Sequence, residues 1–137
     1  MMSIAINALL PHRPPMQWID ALIDCDETAA RATASFVADH FAANDGQVLE
    51  TALVECAAQT VAAAKSYRAQ TSGQADLIGT GMLTGVSNFR VHSRPSAGST
   101  LQIEVRELKR LGPMLMVSST ISCDGRPVAS GELTLYA

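Results

Sequence analysis

Residues 49–68 limit the fold most, because they can only become a helix that is covered on most of its sides. Leu49, Leu53, Cys56 and Ala57 recur at the spacing of one helical face. Other alanines occupy much of the remaining surface of this segment. A helix with apolar or small side chains nearly all round is buried on several sides. The rest of the chain is therefore predicted to wrap this helix with a sheet.

The segments on both sides of this helix carry the signs of β-strands. Residues 101–106 alternate between apolar and polar side chains, the pattern of a half-buried strand. Asp124-Gly125 is a strong signal for a hairpin turn. One or two helical turns are predicted in residues 3–10, ahead of the strands. The predicted strands are residues 16–25, 28–37, 76–92 (one long bent strand or two short ones), 101–106, 114–123 and 128–136. This order predicts an α+β domain in which an antiparallel sheet packs on one long central helix.

Composition excludes several classes of protein. The 137 residues are enough for one domain, residues 1–137, and 47% hydrophobic against 17% charged residues excludes a disordered chain. With a net charge of −3, the chain lacks the basic surface that a nucleic-acid-binding protein needs. Three separated cysteines without a C-x-x-C pair favour a reducing cytoplasm over a disulfide framework or a zinc site. No signal peptide is predicted, and no stretch approaches the roughly 20 apolar residues of a membrane span.

Two side chains are candidates for acid–base chemistry. Glu55 lies within the alanine-rich helix, where a carboxylate is costly unless it is paired or used. His40 lies in the loop of residues 38–48, which has a turn signal at residues 44–46. An imidazole that approaches a carboxylate provides an acid and a base near neutral pH.

Four parts of the chain resemble the 3-hydroxyacyl-(acyl carrier protein) dehydratases of fatty-acid and polyene biosynthesis, which have the hotdog fold. Residues 9–16, Leu-Leu-Pro-His-Arg-Pro-Pro-Met, are similar to the family's N-terminal L-P-H-R-x-P motif. Residues 40–41, His-Phe, and residues 55–59, Glu-x-x-Ala-Gln, are similar to its catalytic motifs G-H-F-P and E-x-M-A-Q. Residues 85–90, Gly-Val-x-x-Phe-Arg, resemble the strand that binds the acyl thioester.

The resemblance implies an activity and a set of partners. The reaction would be dehydration of a 3-hydroxyacyl thioester to a 2-enoyl thioester. The substrate would be carried on the phosphopantetheine of acyl carrier protein or coenzyme A, and no metal or other cofactor would be needed. Hotdog proteins form dimers or larger homo-oligomers, and a heterodimer with a second hotdog subunit is an alternative.

The resemblance also implies roles for five residues. His40 would remove the C2 proton, and Glu55 would protonate the departing hydroxyl or hold the water that it becomes. The two would come from opposite protomers of the dimer. Gly85, with Val86 beside it, would offer a backbone N–H to the thioester oxygen. Gln59 would line the substrate site, and its place one turn from Glu55 favours orienting that carboxylate.

The chain departs from the family's motifs around His40. Asp39 and Ala42 stand where the family has Gly and Pro, and residues 47–48 are Gln-Val where it has Pro-Gly. Three functions therefore stay open. The first is a dehydratase, and the second is a hotdog thioesterase in which Glu55 activates water and His40 is dispensable. The third is a non-catalytic hotdog subunit that supports an active partner.

Structural interpretations compete with the functional ones. The pattern also permits a solvated loop histidine at position 40 and a purely structural carboxylate at position 55. His12 is expected to pack in the N-terminal turn rather than to react. Cys56 is expected to fill space in the core, and Arg94 to be a solvated charge.

Overall fold

The structure is a computed structural model that describes residues 4–73 and 82–136. One long helix, α1, spans Glu50–Thr71, and a 3₁₀ turn spans Ile6–Ala8. The strands are β1 (Ile4–Ala5), β2 (Ala21–Cys25), β3 (Ala29–Ala34), β4 (Ala43–Asn44), β5 (Gln47–Val48), β6 (Met82–Val91), β7 (Leu101–Leu111), β8 (Met114–Cys123) and β9 (Arg126–Tyr136).

Seven of these strands form a single antiparallel sheet in the order β1-β2-β3-β7-β8-β9-β6. Strands β4 and β5 form a separate two-stranded ribbon. Helix α1 packs on β2, β3, β7 and β8. The predicted α+β arrangement of one long helix on a large antiparallel sheet is confirmed.

The core lies between the helix and one face of the sheet. On the sheet side, one row of paired, fully buried residues crosses five strands: Leu22, Ala32, Ile103, Ile121 and Ala129. On the helix side, the buried positions are spread around much of the circumference, as the alanine-rich sequence predicts. Small helix side chains let the sheet approach closely, so the helix is covered without large aromatic residues.

Several predicted boundaries are confirmed or extended. The helix runs three residues beyond the predicted end at residue 68. The turn at Asp124 and Gly125 has φ values of 52° and 75°, which is the left-handed geometry of a tight hairpin. The strand predicted at residues 76–92 is confirmed for Met82–Val91, and residues 76–81 lie outside the described residues. Near the N-terminus, where one or two helical turns are predicted, the structure has the short strand β1 followed by a single 3₁₀ turn.

The strand predicted at residues 16–25 is wrong for its first half. Only Ala21–Cys25 pairs as a strand, while the backbone before it bonds to the side chain of Gln59. That side chain accepts from the N–H of Trp18 at 2.8 Å and donates to the carbonyl of Met16 at 2.9 Å. A helix side chain thus takes the place that a neighbouring strand would occupy.

Candidate active site

Glu55 is oriented by its own helix. Its Oε2 accepts a 2.9 Å hydrogen bond from Nε2 of Gln59, one turn further along α1. The Glu55 side chain is 34% exposed, so its carboxylate is neither a core group nor a fully solvated one. A half-exposed carboxylate held in one position is suited to proton transfer at a substrate.

Gln59 is a junction between the helix and the N-terminal segment, residues 11–19. Its Nε2 donates to Glu55 and to the Met16 carbonyl, and its Oε1 accepts from the N–H groups of Trp18 and Ile19 at 2.8 and 3.4 Å. These contacts use both amide protons and both lone pairs of the side chain. Gln59 therefore positions Glu55 and the N-terminal segment, and its amide has no capacity left for a substrate. The predicted orienting role fits this geometry, and Gln59 also lines the cavity beside Glu55.

A cavity of about 180 Å³ adjoins Glu55. The helix side chains Ala58, Ala62 and Lys65 line it, together with apolar side chains of the sheet such as Leu135. Desolvation, and secondly the positive charge of Arg110, lowers the pKa of Lys65. The cavity thus offers an apolar surface next to one carboxylate and one amine.

His12, which is predicted to pack in the N-terminal turn rather than to react, lines this cavity. Its Nε2 is 3.8 Å from Oε2 of Glu55. Both side chains line the cavity. The structure therefore brings an imidazole to Glu55 within a single chain, and it is not the imidazole that the sequence predicts.

His40 lies among aromatic rings of its own chain. Its ring stacks on Phe41 with centroids 4.8 Å apart and meets Phe36 and Trp18 edge-on at 5.1 and 6.1 Å. His40 is thus partly exposed, and its ring packs on other rings of the loop and the N-terminal segment. Among the described residues, His40 is not part of the lining of the Glu55 cavity.

Both ring nitrogens of His40 have partners. Nδ1 accepts a 2.9 Å hydrogen bond from the N–H of Ala42, so Nδ1 carries no proton. The proton of the neutral ring then lies on Nε2, which donates to the carbonyl of Pro15 at 3.2 Å. In this arrangement His40 is a donor, and it can accept a substrate proton only after the bond to Ala42 breaks.

The loop that carries His40 is clamped from the turn after β6. Arg94 donates from Nε to the carbonyl of Val48 at 3.0 Å, and a second guanidinium N–H reaches the carbonyl of Gln47 at 3.4 Å. The Val48 N–H donates to the carbonyl of Pro95 at 2.8 Å. Arg94 is thus a structural clamp and not the solvated charge that was expected. These bonds fix a loop that lacks the family's Pro and Gly.

Gly85 and Val86 lie on β6, at one edge of the sheet. They pair with Thr134 and Leu133 of β9. Neither residue is among the described residues that line the Glu55 cavity, although Met82 and Leu83 of the same strand are. Within a single chain, the predicted thioester-binding pair therefore does not line the cavity beside Glu55.

Cys56 is a core residue, as expected. It is fully buried, and burial raises the pKa of its thiol, with the neighbouring charge of Glu55 as the next contribution. A buried thiol that stays protonated is not a nucleophile.

The chain as a whole matches a known family. The sequence model of the ApeP-like family, described as ApeP dehydratase, matches residues 4–137. The chain belongs to this dehydratase family. The resemblance found from the motifs is confirmed, and the family is one of dehydratases.

Curated relatives agree with this assignment. The 3-hydroxyacyl-[acyl-carrier-protein] dehydratase FabZ of Staphylococcus carnosus (strain TM300) is 28% identical to this chain, over 94% of this chain and 90% of the relative. FabZ of Geobacillus sp. (strain WCH70) is 26% identical, over 93% of this chain and 89% of the relative.

Solved structures confirm the hotdog fold. The dehydratase heterocomplex ApeI:P from Xenorhabdus doucetiae matches with a TM-score of 0.85 at 21% identity, over 97% of this chain and 90% of that chain. The E. coli PaaI protein matches with a TM-score of 0.66 at 16% identity, over 85% and 81% of the two chains.

Two further properties concern residues 4–73 and 82–136. This part of the chain contains no helix with the length and apolar character needed to cross a bilayer. Within it, no three His, Cys, Asp or Glu side chains converge so that they could hold a metal ion.

Proposed function

We propose that the protein removes water from 3-hydroxyacyl thioesters, carried on the phosphopantetheine of acyl carrier protein, to give 2-enoyl thioesters. The observation that carries this proposal is the Glu55 carboxyl, held by Gln59 at the edge of a largely apolar cavity. An acyl chain fits an apolar cavity, and a positioned carboxyl can protonate a hydroxyl that leaves. Relatives named as acyl-carrier-protein dehydratases support the same substrate class.

The proposed reaction needs a base, an acid and a donor to the thioester oxygen. The base removes the C2 proton, Glu55 gives its proton to the 3-hydroxyl, and water leaves as the C2–C3 double bond forms. Backbone N–H groups near Gly85 and Val86 would stabilise the negative charge on the thioester oxygen. The protein would need no cofactor besides the phosphopantetheine of its substrate.

A dimer would bring the remaining predicted residues to Glu55. Strand β6 is an outer strand of the sheet, and its Met82 and Val86 are 66% and 46% exposed. A long outer strand with exposed apolar side chains is suited to pairing with a second chain. In such a dimer His40 of one protomer would serve the Glu55 cavity of the other, once its bond to Ala42 opens.

Product analysis tests the proposal. The pure protein is incubated with a 3-hydroxyacyl thioester of acyl carrier protein, and the same thioester of coenzyme A is run beside it. A 2-enoyl thioester, lighter by one water, is expected with the carrier-protein substrate. Release of the free acid would indicate a thioesterase, and an unchanged substrate would contradict catalysis by this chain alone.

A supporting subunit is the second candidate function. Two observations favour it: the ring nitrogens of His40 are both engaged, and the compared ApeI:P structure is a heterocomplex. This candidate predicts that the pure chain is inert but raises the dehydratase activity of a second hotdog protein that binds to it. Turnover by the pure protein would exclude it.

A further inference from the structure

The imidazole that faces Glu55 within its own chain is that of His12. Its Nε2 is 3.8 Å from Oε2 of Glu55, and the two side chains are 33% and 34% exposed. Both therefore reach the cavity and the solvent rather than the core. A distance of 3.8 Å is slightly beyond a hydrogen bond, and acid–base contacts of this kind often tighten when substrate binds.

The backbone around His12 is fixed from two directions. The Arg13 guanidinium donates to the carbonyls of Leu10, His12 and Asn7 at 2.7, 2.8 and 3.2 Å. Further along the same segment, Gln59 of the helix binds the carbonyl of Met16. The N-terminal segment is thus tied to the helix that carries Glu55, so the backbone positions of His12 and Glu55 are held near each other.

The two nitrogens of the His12 ring differ in their surroundings. Nδ1 is buried and has no hydrogen-bond partner among the described residues. Nε2 is the nitrogen on the side of Glu55. Of the two ring nitrogens, Nε2 is therefore the one placed to contact the carboxyl. The His40 ring, in contrast, has backbone partners at both nitrogens.

We propose that His12 is the positioning and proton-exchange partner of Glu55 in the same chain. This inference rests on the proposed dehydration. In that reaction the C2–H bond breaks and its proton goes to the base, which later releases it to solvent. The C3–O bond breaks with a proton from Glu55, and the oxygen leaves as water. Glu55 is then an anion that must regain a proton, and Nε2 of the partly exposed His12 ring takes a proton from solvent and passes it to Oε2 of Glu55.

A matched set of histidine variants tests the role. His12→Gln removes the imidazole in the cavity, and His92→Gln removes an exposed imidazole just after β6 as the control. For His12→Gln, kcat is expected to fall at least about tenfold with KM changed less than about threefold. His92→Gln is expected to behave as the wild type. An active wild-type enzyme with His12→Gln at more than about half its kcat would overturn the role of His12 alone.

Rescue by a small molecule separates proton exchange from support of the fold. His12→Ala opens space beside Glu55, and free imidazole in the buffer is expected to restore part of its activity. In a Glu55→Gln background, His12→Gln is expected to lower kcat by less than about a further threefold, because the two residues act as one unit. Independent, additive losses without rescue would overturn the proposal.

The NMR signals of the histidine rings test the pairing without depending on turnover or on the folding of a His12 variant. Nitrogen-correlated NMR spectra of the wild type and of Glu55→Gln are compared. The His12 ring resonances are expected to move and those of His92 to stay. Unmoved His12 resonances would overturn the pairing. A folded wild type without dehydratase activity would overturn the proposed function and the catalytic role of His12 together.

Discussion

Gln59 donates a 2.9 Å hydrogen bond from Nε2 to Oε2 of Glu55, and the same side chain binds the backbone of residues 16–19. One buried amide thus joins the candidate catalytic carboxyl to the N-terminal segment. Because that segment also carries His12 and the Pro15 carbonyl bound by His40, Gln59 is central to the geometry of the whole site.

Removal of the Gln59 amide is expected to destabilise the protein. Gln59→Ala leaves the Trp18 N–H and the Met16 carbonyl without their partner, which should lower the free energy of unfolding by about 2–4 kcal/mol. Urea denaturation measures the change. Gln70 lies on the same helix as Gln59, and its side chain donates one exposed hydrogen bond to the carbonyl of Ala8. Gln70→Ala should therefore lower the free energy of unfolding by less than about 1 kcal/mol. Equal losses in the two variants would contradict the junction role.

The His40 ring is expected to be the Nε2–H tautomer in the free protein. The N–H of Ala42 donates to Nδ1, so the ring proton must lie on Nε2. The nitrogen chemical shifts of the two ring positions distinguish the tautomers directly. A ring protonated at Nδ1 would contradict this geometry and would make His40 a ready base.

Two glycines of the β6–β9 pair should respond in opposite ways to alanine. A Cβ at Gly131 would lie 2.5 Å from the Cα of Phe89, so Gly131→Ala should cost about 1–3 kcal/mol of stability. A Cβ at Gly85 would only touch the Thr134 side chain at 3.7 Å. Gly85→Ala should therefore fold normally, with stability unchanged or raised by up to about 1 kcal/mol.

Activity of the Gly85→Ala variant then tests the proposed thioester site. A methyl group that hinders approach of the thioester to the backbone should lower kcat/KM at least about tenfold in a stable protein. Full activity in this variant would exclude Gly85 from the substrate site.

Arg94 is expected to control the mobility of the His40 loop. Arg94→Ala removes the bonds to the carbonyls of Val48 and Gln47, so amide hydrogen exchange in residues 43–48 should become faster. The control is Arg90→Ala, at an exposed position on β6, which should leave exchange in the loop unchanged. Similar exchange in both variants would show that the backbone bonds alone hold the loop.

Most of the fold can be predicted from the sequence, because its helix and strands follow from local periodicity. The small and apolar residues of α1 and the alternation in β7 predict the helix and the sheet that covers it. The sequence predicts a strand that begins at residue 16, but the backbone of Met16 and Trp18 bonds to the side chain of Gln59 instead. No local pattern reports a bond between a backbone segment and a helix side chain some 40 residues later.

The candidate site was only partly predictable for the same reason. Glu55 stands out as a carboxylate in an apolar helix, and its family motif gives it a role. The approach of His12 to Glu55 depends on how the N-terminal segment folds back onto the helix. The packing of His40 against Trp18 depends on the same segment, so both contacts are tertiary.

The most direct test of the account is the rate of 2-enoyl thioester formation by the wild type and by Glu55→Gln, with Glu50→Gln as the control. Glu50 is an exposed residue in the first turn of the same helix. We expect Glu55→Gln to lower kcat by about 10²–10⁴-fold, because the amide cannot give a proton to the leaving hydroxyl. Glu50→Gln should keep the wild-type rate. A Glu55→Gln variant that forms the 2-enoyl thioester as fast as the wild type would contradict the account.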